Sequence, residues 1–121
     1  MEQEKEKGQS EKGLYSGLIR LHILHHAAEE GIFGLGMIEE LARHGYKLSP
    51  GTLYPILHRL EEQGLLRSYA CTEAGKIRRI YRATSAGRKA LRSAKKKVRE
   101  LFGELFEQQS SVRRRMRWRN R

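Results

Sequence analysis

Leu14, Leu18, Leu21, Leu24 and Ala28 recur at helical spacing, Ile19 and Ile23 add a second edge, and Gly31 follows. This pattern predicts a first helix over 14–30 that is apolar on two sides. Both sides need burial, and in so short a chain the second calls for another subunit. Ile38, Leu41 and Ala42 stripe a second helix over 35–44, which Gly45 stops. On a third helix Leu53, Leu57 and Leu60 share a face, with Ile56 beside them. Ser49 suits its N-cap, and Pro50 its first position, where a missing N–H is no loss. Pro55 removes a backbone hydrogen bond past the first turn and usually bends a helix. The apolar spacing nevertheless runs through it to Gly64.

Residues 65–71 and 77–83 read as two strands joined by a turn at Thr72-Glu73-Ala74-Gly75-Lys76. Thr84 suits the N-cap of a last helix reaching about Gln109, roughly 38 Å long at about 1.5 Å per residue. Along it Leu91, Ala94, Val98, Leu101 and Leu105 follow a 3-4 spacing with Phe102 and Phe106 alongside, a short coiled-coil-like seam. A helix of this length outruns the core of a small domain, so a homodimer is expected. Its contacts fall to Leu14, Leu18 and Leu21 of the first helix and Leu91, Val98, Leu101, Phe102, Leu105 and Phe106 of the last. Three helices, a hairpin and a long helix make a mainly α (α+β) winged helix-turn-helix with a two-stranded wing. The chain divides into a charged, disordered segment 1–13, a winged domain 14–85, a dimerisation helix 86–109 and a tail 110–121.

Charge adds a partner to this outline. Lys and Arg number 25 against 14 acidic residues, a formal net charge of +11. That excess points to a polyanion, nucleic acid first. Arg113–Arg121 carries six Arg and no acid; such a tail could add phosphate contacts, bind anionic lipid or RNA, or simply be solvated. Every acid is Glu, which removes Asp-based metal loops and a Ser-His-Asp triad. There is no phosphate-gripping loop and no nucleophile–base pair, so neither an enzyme nor a cofactor is expected. His22 and His26 have the i, i+4 spacing that can grip a metal, but no Asp and no nearby cysteine completes a set, and no metal is expected. Cys71 is the lone cysteine, so no internal disulfide forms. No apolar run approaches the roughly 20 residues of a membrane span, and Met1–Lys7 has no secretion core. A cytoplasmic protein without a membrane partner is the expectation.

The third helix is the expected DNA-reading element. A helix fits the major groove with its N-terminal residues at base edges. N–H groups and the helix dipole at that end favour phosphate. Ser49, Pro50, Gly51 and Thr52 form that end, with Lys47 in the turn before it. Thr52 and Tyr54 reach phosphates, and His58 or Arg59 a base edge. On the hairpin Lys76, Arg78 and Arg79 lie along the neighbouring groove or its phosphates. Strand alternation puts Arg78 and Arg79 on opposite faces.

Leu48-Ser49-Pro50-Gly51-Thr52-Leu53-Tyr54-Pro55-Ile56-Leu57-His58-Arg59-Leu60-Glu61 resembles the recognition-helix signature of the PadR family of bacterial transcriptional regulators. Phe33-Gly34 is similar to that family's aromatic-Gly opening of the second helix. Tyr81-Arg82-Ala83-Thr84-Ser85-Ala86-Gly87 is similar to its Tyr-x-Leu-Thr-x-x-Gly exit from the wing. The resemblance covers about residues 14–108. Leu35 stands where the family usually has Tyr, Gly36 where it often has a polar residue, and Ala83 where it has Leu; the Arg-rich tail is outside the pattern. The resemblance implies a homodimer on a near-palindromic double-stranded operator, usually a repressor, with dimer contacts from the first and last helices. It also implies release by a small aromatic or drug-like effector held between those helices, where Tyr15, Phe102 and Phe106 are the candidates. Two alternatives stay open: a DNA-binding regulator with no effector, and a winged helix that only binds protein.

Overall fold

The structure is a computed structural model that describes residues 2–107, with side chains from Gly13 onward. The Arg-rich tail lies outside the described residues.

Helix α1 spans Glu2–Glu29 and so starts well before the expected Leu14. Its first residues are mostly Glu, Gln and Lys, good helix formers that lose little rotamer freedom. They carry no apolar stripe, so spacing alone placed 1–13 in a disordered segment. Helix α2 spans Gly34–Arg43 and closes as expected. The His44 N–H donates to the Leu41 carbonyl (3.0 Å) and the Gly45 N–H to that of Ala42 (3.0 Å). Gly45 has φ +89, a left-handed conformation that glycine adopts without strain. Helix α3 spans Pro50–Glu62 and continues through Pro55.

Strands β2 (Leu66–Glu73) and β3 (Lys76–Ala83) form the wing. The expected two-stranded wing is in fact part of a three-stranded antiparallel sheet in the order β1-β3-β2. β1, Ile32–Phe33, pairs Ile32 with Tyr81 and Phe33 with Ile80. A two-residue strand is too short to show alternation, which hid it in the sequence. Gly31 leads into it, where a Cβ would sit 2.5 Å from Cγ2 of Ile80.

The register pairs Glu73 with Lys76, leaving only Ala74-Gly75 as the hairpin loop. Both have positive φ, 51 and 77, as two-residue hairpin turns require. Ala74 is the residue that pays for this with its Cβ. Ala74→Gly is expected to raise stability by about 0.5–1 kcal/mol, seen as a higher Tm. An unchanged or lower Tm would mean that the turn relaxes around alanine.

The described residues divide into two compact units between Leu91 and Arg92; the division falls inside α4, Ser85–Phe106, rather than between 85 and 86. The core of the first unit takes Ile19, Ile23, Leu24 and Ala27 from α1, Met37 and Leu41 from α2, and Leu53, Leu57 and Leu60 from α3. Leu66, Tyr81, Ala83 and Leu91 complete it. Two expectations change here. On α1 the Ile19/Ile23 edge faces the core together with Leu24 of the other edge, whereas Leu14 and Leu18 are 73% and 44% exposed. Leu91, grouped with the dimer seam by its spacing, is buried in its own chain's core and has little surface left for a partner; Leu21 is partly buried against the same core.

The passage from wing to α4 is held by Thr84. Its Oγ1 donates to the Gly64 carbonyl (2.6 Å) and accepts from the Gly87 N–H (2.9 Å), capping the helix as the sequence predicts. No described helix is long and apolar enough to cross a membrane.

Candidate nucleic-acid interface

α3 is a two-sided helix. Leu53, Leu57 and Leu60 are at most 2% exposed, whereas Ser49, Pro50, Gly51, Thr52, His58 and Arg59 are exposed. The apolar face fixes the helix on a rigid support, which leaves the polar face with a defined aim. At the N-terminus the Ser49 carbonyl accepts from the N–H groups of Thr52 and Leu53, both at 3.0 Å. The Ser49 and Thr52 hydroxyls lie 3.2 Å apart and neither side chain caps the helix. Their remaining hydrogen-bonding capacity faces outward. A Cβ on Gly51 would meet nothing nearer than the Ser49 hydroxyl at 3.8 Å. Glycine is therefore not demanded there by packing.

Tyr54 differs from the other candidates. It is half-buried and packs against the core, and its ring fills the space beside buried Gly34, where any Cβ would collide with the phenol. Gly34 and Tyr54 are thus one joint between α2 and α3. His58 lies beyond Tyr54, with ring centroids 6.5 Å apart. His58 and Arg59 border a shallow groove with Arg20, Pro55, Ile56 and Glu62. Lys47, in the turn before α3, is exposed.

A latch that sequence reading missed fixes α3 to the wing. Glu61 accepts from the Ser68 backbone N–H (3.0 Å) and hydroxyl (2.7 Å) through one carboxylate oxygen. Arg79 donates to the same Ser68 hydroxyl at 3.0 Å. Burial, and after it the Glu61 charge, raises the Tyr81 phenol above its ordinary pKa and keeps it neutral. The only signal for this latch was Glu61 itself, the last residue of the recognition-helix motif.

The wing's cations are not equivalent. Lys76 is exposed at the tip, seven residues along β3 from Ala83, or roughly 23 Å. Arg79 is exposed but tied to Ser68 on the face toward α3. Arg78 lies on the other face, half-buried, with its guanidinium carbon 4.6 Å from the Phe33 ring centroid. A cation held over an aromatic face is partly committed to the fold. On that outer face Arg82 Nε also donates to the Tyr69 hydroxyl at 3.1 Å.

A family model described as the transcriptional regulator PadR-like family matches residues 23–93. Among curated proteins, the transcriptional regulator Rv3488 of Mycobacterium tuberculosis (strain ATCC 25618 / H37Rv) is 53% identical over 92 residues, covering 76% of this chain and 86% of that protein. A crystal structure of a PadR family transcriptional regulator from Eggerthella lenta DSM 2243 superimposes with a TM-score of 0.71 at 29% identity, covering 88% of this chain and 95% of that one. A transcriptional regulator from Clostridium thermocellum gives 0.65 at 25% identity, over 79% of this chain and 93% of that one. The matched segment runs from the second half of α1 through α3 and the wing into α4, and the chain belongs to the PadR-like family of transcriptional regulators, which are not enzymes.

Proposed function

We propose that the protein is a cytoplasmic homodimer that binds a near-palindromic double-stranded operator, acts as a repressor, and lets go when a small aromatic or drug-like effector binds. The observation that carries the reading is the division of α3. Its Leu53/Leu57/Leu60 face is buried while Ser49, Thr52, His58 and Arg59 stay exposed on a helix of the width a major groove admits. In this reading Ser49, Pro50, Gly51, Thr52 and Lys47 meet the backbone and groove edge, and His58 and Arg59 meet bases. Tyr54 chiefly positions the helix. Lys76 and Arg79 meet phosphates beyond, with Arg78 a lesser contributor because of its place on Phe33.

The dimer has separate support. In the second unit Val98, Leu101, Phe102, Leu105 and Phe106 are 44–66% exposed at helical spacing. In the first unit Leu14, Tyr15 and Leu18 are 41–73% exposed. Apolar stripes of this kind call for a partner surface, and a second copy supplies the same stripes. Phe102 and Phe106 stand with ring centroids 4.8 Å apart, an aromatic pair suited to a planar effector. Tyr15 packs edge-on against Tyr46 at 5.9 Å, which also gives it a role within its own unit.

Fluorescence anisotropy of the protein's own promoter DNA tests the reading. Affinity is expected to fall steeply as salt rises, with a log–log slope of about −0.9 for each phosphate neutralised. A flat salt response contradicts the charge assignment. Adding phenolics and aromatic drugs to the complex is expected to release DNA; release by none of them favours a regulator without an effector.

A further inference from the structure

Three histidines from two helices converge at the C-terminal end of α2. His22 and His26 lie one turn apart on α1, and His44 is the residue that closes α2. The His44 ring stacks on that of His22 with centroids 4.6 Å apart, and His22 and His26 are 6.3 Å apart and nearly parallel. One ring nitrogen of each lies within 4.8 Å of the other two. Glu40, one turn before His44, places Oε1 3.6 Å from Nε2 of His26 and 3.5 Å from Nε2 of His44. The proposed contact of α3 with DNA uses none of these groups.

We propose that His22, His26 and His44, with Glu40 beside them, form a binding site for a divalent first-row transition ion of the zinc class. Imidazole nitrogens suit such ions, and tetrahedral zinc at about 2.0–2.1 Å from each places ligand atoms about 3.4 Å apart. The nitrogens are already gathered to within 4.8 Å, so ring rotation supplies the remaining contraction. The Glu40 carboxylate offsets the charge of the ion, and carboxylates commonly orient metal-bound imidazoles. Burial, then the neighbouring His44, His26 and His25, lowers the proton affinity of His22. Its ring is thereby biased to the neutral form that a metal needs. His44 is 45% exposed and gives an ion a way in. A rival set, His25, His26 and Glu29, lies on α1 alone. The His22/His26/His44 set joins two helices, next to the turn that leads into α3. The His22 ring is 5.5 Å from that of Tyr46 in this turn.

The test is calorimetric titration of chelator-stripped full-length protein with zinc chloride. One zinc per chain is expected in wild type and in His25→Ala, with at least about tenfold weaker binding, or 1.4 kcal/mol, in His44→Ala and His22→Ala. Zinc is also expected to raise the Tm of wild type and to leave that of His44→Ala unmoved. His44 is a solvent-exposed cap, so the metal-free His44→Ala protein should melt close to wild type. No heat at zinc concentrations up to about 100 μM overturns the site. Full binding by His44→Ala with loss in His25→Ala assigns the ion to the α1 set and overturns it equally. These readouts need no DNA, so they stand or fall apart from the DNA-binding reading. Any influence of the ion on DNA rests on that reading. The promoter titration with and without zinc measures it: a zinc-dependent shift of about threefold or more, absent in His44→Ala, supports coupling, and no shift removes it.

Discussion

Gly87→Ala is expected to destabilise the protein by about 3 kcal/mol, lowering Tm by more than about 10 °C. A Cβ at this position would drive into the carbonyl oxygen of Leu65, which is backbone and cannot rotate away. That carbonyl is also held in place. It accepts from the Thr84 N–H at 3.1 Å, while the Leu65 N–H donates to the Leu60 carbonyl at 2.9 Å. Moving Leu65 would disturb the end of α3, the start of β2 and the Thr84 cap together, because Thr84 Oγ1 ties Gly64 to Gly87. Gly103 is the control on the same helix. A Cβ there would meet nothing closer than a Glu107 carboxylate oxygen at 3.6 Å, so Gly103→Ala should be neutral or stabilising by up to about 1 kcal/mol. If Gly87→Ala melts with wild type, the junction is more plastic than its hydrogen bonds imply.

Arg59→Ala is expected to weaken operator binding by about 1–3 kcal/mol, roughly 5- to 150-fold, and to relax preference at one base position of each half-site. The side chain is exposed on the polar face of α3, and no ion pair joins it to another described residue. Its removal should therefore leave Tm within about 0.5 kcal/mol of wild type. Gly51→Ala makes the companion case. A Cβ there meets nothing nearer than the Ser49 hydroxyl at 3.8 Å, so folding should be unharmed, yet the methyl group would stand where the proposed reading brings backbone close to DNA. Weaker binding with unchanged Tm is the expected pair of results in both variants. Unchanged operator affinity in both would remove α3 as the reading element. Tyr54→Ala is the poorer probe, because it also empties the space over Gly34; Tyr54→Phe keeps the packing and removes only the hydroxyl.

The α3 segment was legible because several signals coincide on it: Ser49 and Pro50 at the start, Leu53, Leu57 and Leu60 at helical spacing, and Gly64 at the stop. The Thr84 cap and the wing strands followed from equally local chemistry. β1 was invisible because its two residues are defined by partners about 50 positions later, Tyr81 and Ile80. Which edge of α1 faces inward was not legible either. Both edges are apolar, and only the packing of Ile19, Ile23 and Ala27 against the other helices separates them. Leu91 shares the spacing of the α4 stripe but is buried in its own chain's core, whereas Val98, Leu101 and Leu105 are exposed, and spacing alone does not separate them. Among the candidate site residues, exposure matched the expectation along α3 except at Tyr54. The wing did not match so simply, since Arg78 on Phe33 and Arg79 on Ser68 are set by cross-strand neighbours. His44 joins His22 and His26 only through the packing of α1 and α2, which is why a pair at i, i+4 spacing looked incomplete.

The central claim is that two copies of α3, held by one dimer, read duplex DNA. Selection of bound sequences from random double-stranded DNA tests it most directly. The account predicts enrichment of two-fold symmetric half-sites centred about 34–36 Å apart, one helical turn, on the same DNA face. No enrichment over the starting pool, or a single asymmetric half-site, would contradict it.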